Sequence, residues 1–484
     1  MTGTLPQDPR PWPTRREAAL KNATMRRTVG EVTRRLAEGR RRALADYPEG
    51  QVKLQRAQVA KRQAVARWQT LWSELQAAVT AHGGTPHFAA TAAEAVALVR
   101  QIARQYAVRR VIKSKSMVTE ELELTQALAQ DGIVVLETDL GEYIIQLAGE
   151  KPSHILGPAI HRNRAQIAEL FREDAAQHGL LPPSSDAYEA LTEYARRRLR
   201  EEFLAADMGI TGGNFLVAET GTLVLITNEG NADMTTTLPR VLVSVVGLEK
   251  LVATWDDLLD IVQQPALSGV GRRLSTYTTL VHGPRGPGVA EGPEAWHLIL
   301  LDNGRSALHG TPYEEVLTCL RCAACLNVCP VFRQVGGHAY GSVYSGPIGI
   351  VETPLLTDFR ILPELPSALC TVCHACAEAC PMAIDLPAHI IRLRQEKVRR
   401  KLVPTAHRWS IRQWAAQWRT PAGYRRTIRW ARLAQRWYRR GDRLEGAPGM
   451  AAGWFQSRSM PPVASPTFRE WWAARPESAG RALR

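Results

Sequence analysis

A chain of 484 residues, 45% hydrophobic and 22% charged, has the make-up of a globular protein of roughly three domains, which excludes a disordered, collagen-like or small disulfide-stapled one. Its net charge of +14 predicts an anionic partner or surface, and eleven Lys and Arg with no Asp or Glu fall in residues 401–440. All eight cysteines lie between Cys319 and Cys380, a clustering that argues against disulfides spread through an exported chain and for a metal site in a reducing compartment.

The first 21 residues hold no apolar run of the secretory kind, and no stretch approaches the ~18 apolar residues of a membrane span. The expected location is therefore the cytoplasm, with the inner face of a membrane as the alternative. Residues 1–13 contain four prolines and are expected to form an unstructured tail. Residues 14–80 are rich in Arg, Ala, Leu and Gln and read as two or three long helices with solvated basic faces, making 1–80 a helical N-terminal extension. In 81–300, Ala-rich helical stretches (92–107, 120–130, 163–176) alternate with short β-branched runs. The runs are Val108–Ile112, Ile133–Glu137, Phe215–Val217, Thr222–Ile226 and Val241–Val246, the pattern of an α/β domain with a largely parallel sheet. Within the segment Gly209–Asn231, two of these runs flank Glu219-Thr-Gly221 and are followed by Asn228-Glu-Gly230. A β-hairpin with ordinary turn glycines is the plainer reading. A backbone cradle for an anion, with Glu219 pointing into a pocket, is the functional one. Neither a Walker pattern nor GxGxxG is present, so nucleotide binding is not supported. Residues 268–310 (Gly283-Pro-Arg-Gly-Pro-Gly288) read as a loop-rich connection to the cysteine region, 301–398. Residues 399–484 are basic and Trp-rich, with a loosely ordered tail expected from 441.

Cys319-Leu-Arg-Cys322-Ala-Ala-Cys325-Leu-Asn-Val-Cys329-Pro330 and Cys370-Thr-Val-Cys373-His-Ala-Cys376-Ala-Glu-Ala-Cys380-Pro381 are two copies of C-x2-C-x2-C-x3-C-P, the run of two-cluster ferredoxins. Three thiolates at three-residue intervals wrap one corner of a cubane, and the fourth points away to the other cluster. This assigns Cys319, Cys322, Cys325 and Cys380 to one 4Fe–4S cluster, and Cys370, Cys373, Cys376 and Cys329 to a second. Paired zinc sites are the competing reading, but they usually draw on two well-separated C-x2-C pairs. Crossed ligation keeps the clusters close, as an electron relay needs. The separation of Cys329 from Cys370 is long for a compact ferredoxin of short strands, and the flanks Pro312–Thr318 and Leu386–Lys401 read helical, so an α-helical two-cluster domain is expected. His374 is read as a solvated helix residue, or else as a tuner of the potential through a hydrogen bond to sulfur. Tyr340, Tyr344 and the glycines of Gly336–Gly341 are candidates to pack over a cluster, with turn chemistry an equal account of the glycines.

Ile411, Trp414, Ala415 and Trp418 recur at helical spacing, as do Trp430, Leu433, Ala434 and Trp437. Arg425, Arg429, Arg432, Arg436 and Arg440 run down another face of the second stretch, and Pro421-Ala-Gly423 separates the two. This predicts an amphipathic helical hairpin. Docking a partner subunit is the first reading, an anionic membrane surface the second. Nucleic-acid binding lacks any accompanying motif, and a solvated helix packed on its own domain completes the set.

Val111-Ile-Lys-Ser-Lys-Ser-Met-Val-Thr-Glu-Glu121, Glu137-Thr-Asp-Leu-Gly-Glu-Tyr-Ile-Ile-Gln-Leu-Ala-Gly149, Pro152-Ser-His-Ile155, the Gly209–Asn231 segment and the paired cysteine motifs occur in an order that resembles the lactate utilization protein B family, over about residues 30–440. The resemblance implies a LUD domain, similar to the sugar-phosphate isomerase and CoA-transferase superfamily, followed by an α-helical ferredoxin. It also implies two partners in oxidising L-lactate to pyruvate: a cysteine-rich protein with CCG motifs and a small LUD-domain protein. This chain has no CCG motif and no recognisable flavin site, so the expectation is an electron-transfer subunit passing electrons to a membrane acceptor such as quinone, and no residue is assigned a catalytic role. A complex oxidising another 2-hydroxy acid, and a ligand sensor with structural clusters, are the rival readings. Lys113 and Lys115, with Glu219 and Asn228, are candidates to hold a carboxylate or phosphate, against a plainer reading as surface charge and turn residues.

Overall fold

The computed structural model describes residues 8–447, 449–456 and 458–475. They fall into two compact units, one ending at Lys397 and one beginning at Val398. Ten strands of the first are β1 (Thr85–Ala89), β2 (Arg110–Lys113), β3 (Val134–Glu137), β4 (Met208–Thr211), β5 (Phe215–Val217), β6 (Thr222–Thr227), β7 (Val241–Gly247), β8 (Leu251–Val252), β9 (Tyr277–Val281) and β10 (Ala295–Leu301). Six of them form a parallel sheet in the order β1-β10-β7-β4-β2-β3. All seven residues of β7 are buried, as a parallel strand covered on both faces requires.

Each of the five β-branched runs forms a strand, with ends within two residues of expectation, and β5 and β6 are the predicted hairpin, closed at Gly221 with φ +67°. They belong to a second sheet, β8-β5-β6-β9. The stretch 268–310 is not simply a connection. It contributes β9 and also β10, which sits between β1 and β7 in the main sheet. The apolar run Trp296–Leu301 is buried there, behind the Gly- and Pro-rich loop that disguises it. The predicted helix 120–130 is two, Met117–Glu121 and Leu124–Gln130, parted at Glu123 with φ +49°.

The N-terminal helices number four, not two or three: Trp12–Lys21, Ala23–Ala45, Gly50–Ala66 and Trp68–Ala81. Pro11 and Pro13 start the first, where a missing N–H costs nothing, and Asn22 caps the second by accepting from Met25 N. The expected unstructured tail therefore stops short of residue 13; residues 1–7 lie outside the described part. The Asp8 amide donates to Gly341 O at 3.0 Å, and buried Arg15 reaches Glu364. Leu71, Leu75 and Val79, one face of Trp68–Ala81, pack against Leu216, Leu242, Leu298 and Leu300. Helix Ala23–Ala45 buries Met25, Val29 and Thr33. At its far end Gly39 meets Gly271 so closely that a Cβ on Gly271 would lie 2.2 Å from the Gly39 carbonyl carbon.

The cysteine region is helical: Ala324–Val328, Phe332–Val335, Gly346–Leu356, Leu365–Ala368, Ala375–Ala379 and Leu386–Arg399. In the second unit, Thr405–Trp418 and Pro421–Ala434 form the expected helical hairpin. Its break is Arg419–Thr420 and not Pro421–Gly423, because proline at the first helical position starts a helix readily and Thr420 caps it. A Cβ on Gly423 would lie 2.0 Å from Gln417 O, so only glycine admits that close an approach. The tail from 441 is more ordered than expected where it is described. Helix Phe468–Ala473 is tied back by Arg432–Glu470 at 2.8 Å and by Arg469 over the Tyr424 ring. Trp414, Trp430 and Trp437 remain 55%, 66% and 79% exposed, so the aromatic residues of the hairpin are not buried within this unit. No helix among the described residues is long and apolar enough to cross a membrane.

Candidate iron–sulfur site and the adjoining cavity

Both cysteine motifs adopt one local fold. Arg321 and Ala323 in the first, and Val372 and His374 in the second, have φ between +55° and +64°, in the left-handed region that non-glycine residues seldom occupy. Two such residues at matched positions bend each loop so that backbone N–H groups face sulfur. Arg321 N donates to Cys319 Sγ at 3.4 Å and Val372 N to Cys370 Sγ at 3.3 Å. A five-residue helix follows in each, Ala324–Val328 and Ala375–Ala379, and then Cys329 and Cys380 turn away in extended backbone.

Cys319, Cys322, Cys325 and Cys380 line one cavity. Burial pushes the Cys322 thiol up to about 12, and Cys319 and Cys380 add to the shift. Cys376 is also pushed up to about 12, by burial and then by Cys329, Cys370 and Cys373. The thiols thus lie in two neighbourhoods, Cys319, Cys322, Cys325 and Cys380 in one and Cys329, Cys370, Cys373 and Cys376 in the other. Cys325 feels Cys376 as well, so the groups adjoin, and none of the eight is in a disulfide. Crowded thiols, with Cys322, Cys325, Cys329 and Cys376 among them buried, resist ionisation by themselves and would be thiolates only around a cationic centre, a donor set that fits an iron–sulfur cluster. The groups differ in depth. Cys322 and Cys325 are buried, whereas Cys373 is exposed. Exposed His374 caps the second short helix rather than lying within it. Tyr340, fully buried, lies beside Cys329 and Cys370.

Tyr344 belongs elsewhere, to a buried ionic network that joins the first cysteine loop to the sheet. Its hydroxyl donates to Glu121 Oε2 at 2.6 Å, and its ring carries the Arg321 guanidinium at 4.2 Å. Arg305, 1% exposed, grips Glu121 with two nitrogens at 3.0 and 2.7 Å and Glu249 with a third at 2.7 Å. Arg321 also pairs with Glu352 and lies 3.8 Å from Glu249. Burial would raise the Glu249 carboxyl, but Arg305, Lys250 and Arg321 outweigh it and hold it at about 2. Apart from Tyr344, sequence reasoning missed these residues; the one available signal was charge inside an apolar run, Leu248-Glu-Lys-Leu-Val252.

Beside this network, at the C-terminal ends of β2, β4 and β7, is a cavity of about 270 Å³. Lys115, Asn228, Gly212, Gly213 and Asn214 line it, in keeping with a cradle built from Gly209–Asn231. Two predicted members are not among its lining residues. Lys113 is fully buried, bonded to Glu137 at 2.9 Å and Glu120 at 3.1 Å. Glu219 is exposed and accepts from Trp255 N at 3.1 Å, at the start of helix Trp255–Ile261.

Residues 73–301 match the LUD domain model and residues 315–384 the 4Fe-4S dicluster domain model. The chain thus carries a LUD domain and a helical 4Fe–4S dicluster region with two cluster motifs. It is 39% identical to lactate utilization protein B of Bacillus licheniformis, over 95% of this chain and 96% of that one. It is 43% identical to lactate utilization protein B of Geobacillus kaustophilus, over 83% and 84%. With "Uncharacterized electron transport protein YkgF" of Escherichia coli it shares 37% identity over 95% of each chain. A solved DUF162 family protein from Deinococcus radiodurans aligns with 48% of this chain and 98% of its own, at 16% identity and a TM-score of 0.28. With relatives of this identity matching nearly end to end, the chain belongs to the lactate utilization protein B family.

Proposed function

We propose that the chain is the electron-transfer subunit of a complex that oxidises L-lactate to pyruvate. In this reading Cys319, Cys322, Cys325 and Cys380 hold one cluster, and Cys329, Cys370, Cys373 and Cys376 hold the other. The observation that carries it is the adjacency of two four-cysteine groups at different depths, one walled by Ile155, Ile348, Met382 and Leu386 and one reaching the surface at Cys373. When bound, two 4Fe–4S clusters supply two one-electron carriers. The chain's own part is to hold the sulfurs on fixed loops, to aim N–H groups at Cys319 and Cys370, and to keep water from the inner group. Lactate enters through the names of the relatives.

L-lactate loses two electrons and two protons in becoming pyruvate, and this chain has no CCG motif. Bond breaking therefore belongs to a partner, a CCG-type cysteine-rich subunit, with a small LUD-domain protein as the third component. The exposed tryptophans of residues 405–437 are the docking surface for a partner subunit, near a quinone-linked acceptor at the membrane. The test is anaerobic mixing of the iron-loaded chain with both partners and L-lactate, following the visible absorbance. Bleaching that needs every component is expected. No bleaching, while dithionite still reduces the protein, refutes lactate as the donor; bleaching by glycolate alone moves the reading to another 2-hydroxy acid.

A further inference from the structure

We propose that the cavity at the C-terminal edge of the sheet binds a small organic anion, and that its occupancy shifts the reduction potential of the cluster held by the adjacent cysteine loop. This does not depend on lactate being the electron source. In open parallel sheets, ligands bind at this edge, where loops diverge beyond the strand ends. The cavity, about 270 Å³, has room for an oxyanion with a carbon body of a few atoms. Leu156, Leu225 and Val270 give it an apolar wall, and Lys115, Lys250 and Asn228 supply polar groups.

Lys115 is the strongest sign of a missing ligand. Its Nζ is shielded from solvent and has no hydrogen-bond acceptor among the described residues. The nearest carboxylate, Glu142, is 3.9 Å away, and Glu142 Oε1 is itself without a donor. Burial pushes the Glu142 carboxyl up, which weakens it as a counter-charge for Lys115. An ammonium without a partner is costly to bury, and an anion in the cavity supplies the acceptor. Two acids also line the cavity, and each is held through one carboxylate oxygen. Asp139 accepts from Gly141 N and Glu142 N, and Glu249 is gripped by Arg305.

Leu320 and Arg321 close one side of the cavity, and these two residues are the link between Cys319 and Cys322. An anion seated there stands against the loop that holds the inner cluster, in surroundings of low dielectric. Its negative charge opposes the addition of an electron. By linkage, the reduced protein must bind the anion more weakly by the same factor.

The test uses the anaerobic, iron-loaded full chain with pyruvate, inorganic phosphate and 3-phosphoglycerate, so that carboxylate, phosphate and combined recognition are separated. Saturable calorimetric binding of at least one probe is expected, about tenfold tighter to the oxidised than to the dithionite-reduced protein. At saturation one cluster midpoint falls by about 59 mV for each such tenfold, and it is the midpoint that Cys325→Ala removes. Lys115→Ala weakens binding about tenfold or more with iron content unchanged, and Lys115→Arg retains it. Absence of saturable binding to all three probes overturns the proposal. So does binding that leaves both midpoints unmoved in the unmodified chain, a readout that needs no variant.

Discussion

Replacing Arg305 by methionine tests whether the buried ionic network holds the cysteine loop to the sheet. The guanidinium makes three bonds to carboxylates, at 2.7, 2.7 and 3.0 Å, and one to Asp302 O at 3.1 Å. Methionine fills much of the volume but leaves Glu121 and Glu249 buried without their main counter-charge. Glu121 keeps Tyr344 and Asn303 as donors, and Glu249 keeps Lys250 and Arg321 nearby. Removing one partner of a buried pair costs about 3–5 kcal/mol. With residual donors on both acids, a loss of about 4 kcal/mol is expected, nearly a thousandfold in the folding equilibrium at about 1.4 kcal/mol per decade.

The pH dependence separates this loss from a packing defect. In the unmodified chain, burial opposes ionisation of both carboxyls, but Arg305 outweighs it, so their folded pKa values lie below the usual range. That contribution is present above the unfolded pKa and is lost as pH falls, towards about 2 for Glu249. Without Arg305, burial is less opposed and the folded values rise. The gap between variant and parent should then be widest near pH 8 and narrow towards pH 5, as the stranded carboxylates take up protons. Anaerobic urea melts read by cluster absorbance report on the unit that contains the network. A gap below about 1 kcal/mol, or one of equal size at both pH values, refutes the reasoning. Adding Glu121→Gln to the variant should recover part of the loss, since one stranded charge is gone.

Cys325→Ala and Cys376→Ala should each lower bound iron from about eight to about four per chain and interrupt electron flow; retention of the full complement by either refutes the ligand assignment. Acid should destabilise the first unit through two histidines. Burial, then Lys115, depresses His154 to about 3, and burial, then His87, depresses His297 to about 4. Both are neutral when folded, so stability holds above the unfolded pKa and falls below it by about 1.4 kcal/mol per pH unit for each group. A His154→Asn/His297→Gln double variant should show a shallower decline from pH 6.5 to 4.5, and parallel curves would refute the assignment. Changing the exposed Arg425, Arg429 and Arg436 to glutamine should loosen attachment to partner subunits or to phosphatidylserine vesicles, by about 1 kcal/mol per charge in the second case. Arg432 is left alone because it anchors Glu470, and co-sedimentation unchanged with both would leave the segment without this role.

What was legible in the sequence was local. Each cluster motif is twelve residues long with its proline, and its matched left-handed positions are set by the loop itself. The β-branched runs and the hairpin at Gly221 likewise depend on near neighbours, and so were read nearly to their ends. The strand at Ala295–Leu301 was missed because its flanking Gly and Pro signal a loop, while its place between β1 and β7 depends on strands far away in the chain.

The surroundings of the cysteines show the same division. Lys113 and Lys115 stand two residues apart and were indistinguishable as charges, yet one is buried between Glu137 and Glu120 while the other lines the cavity without an acceptor. Glu219 looked like a pocket residue because it follows a strand in a Gly-rich segment, but it bonds the start of a helix. The sequence by itself determined that eight thiols in two equivalent loops would hold two clusters, because thiolate chemistry needs only their type and spacing. Only the tertiary structure decided that Glu121, Arg305, Glu249 and Arg321 meet and that the cavity opens against the first loop. Buried charges must be paired wherever the chain's topology brings them together, and no local pattern records that meeting.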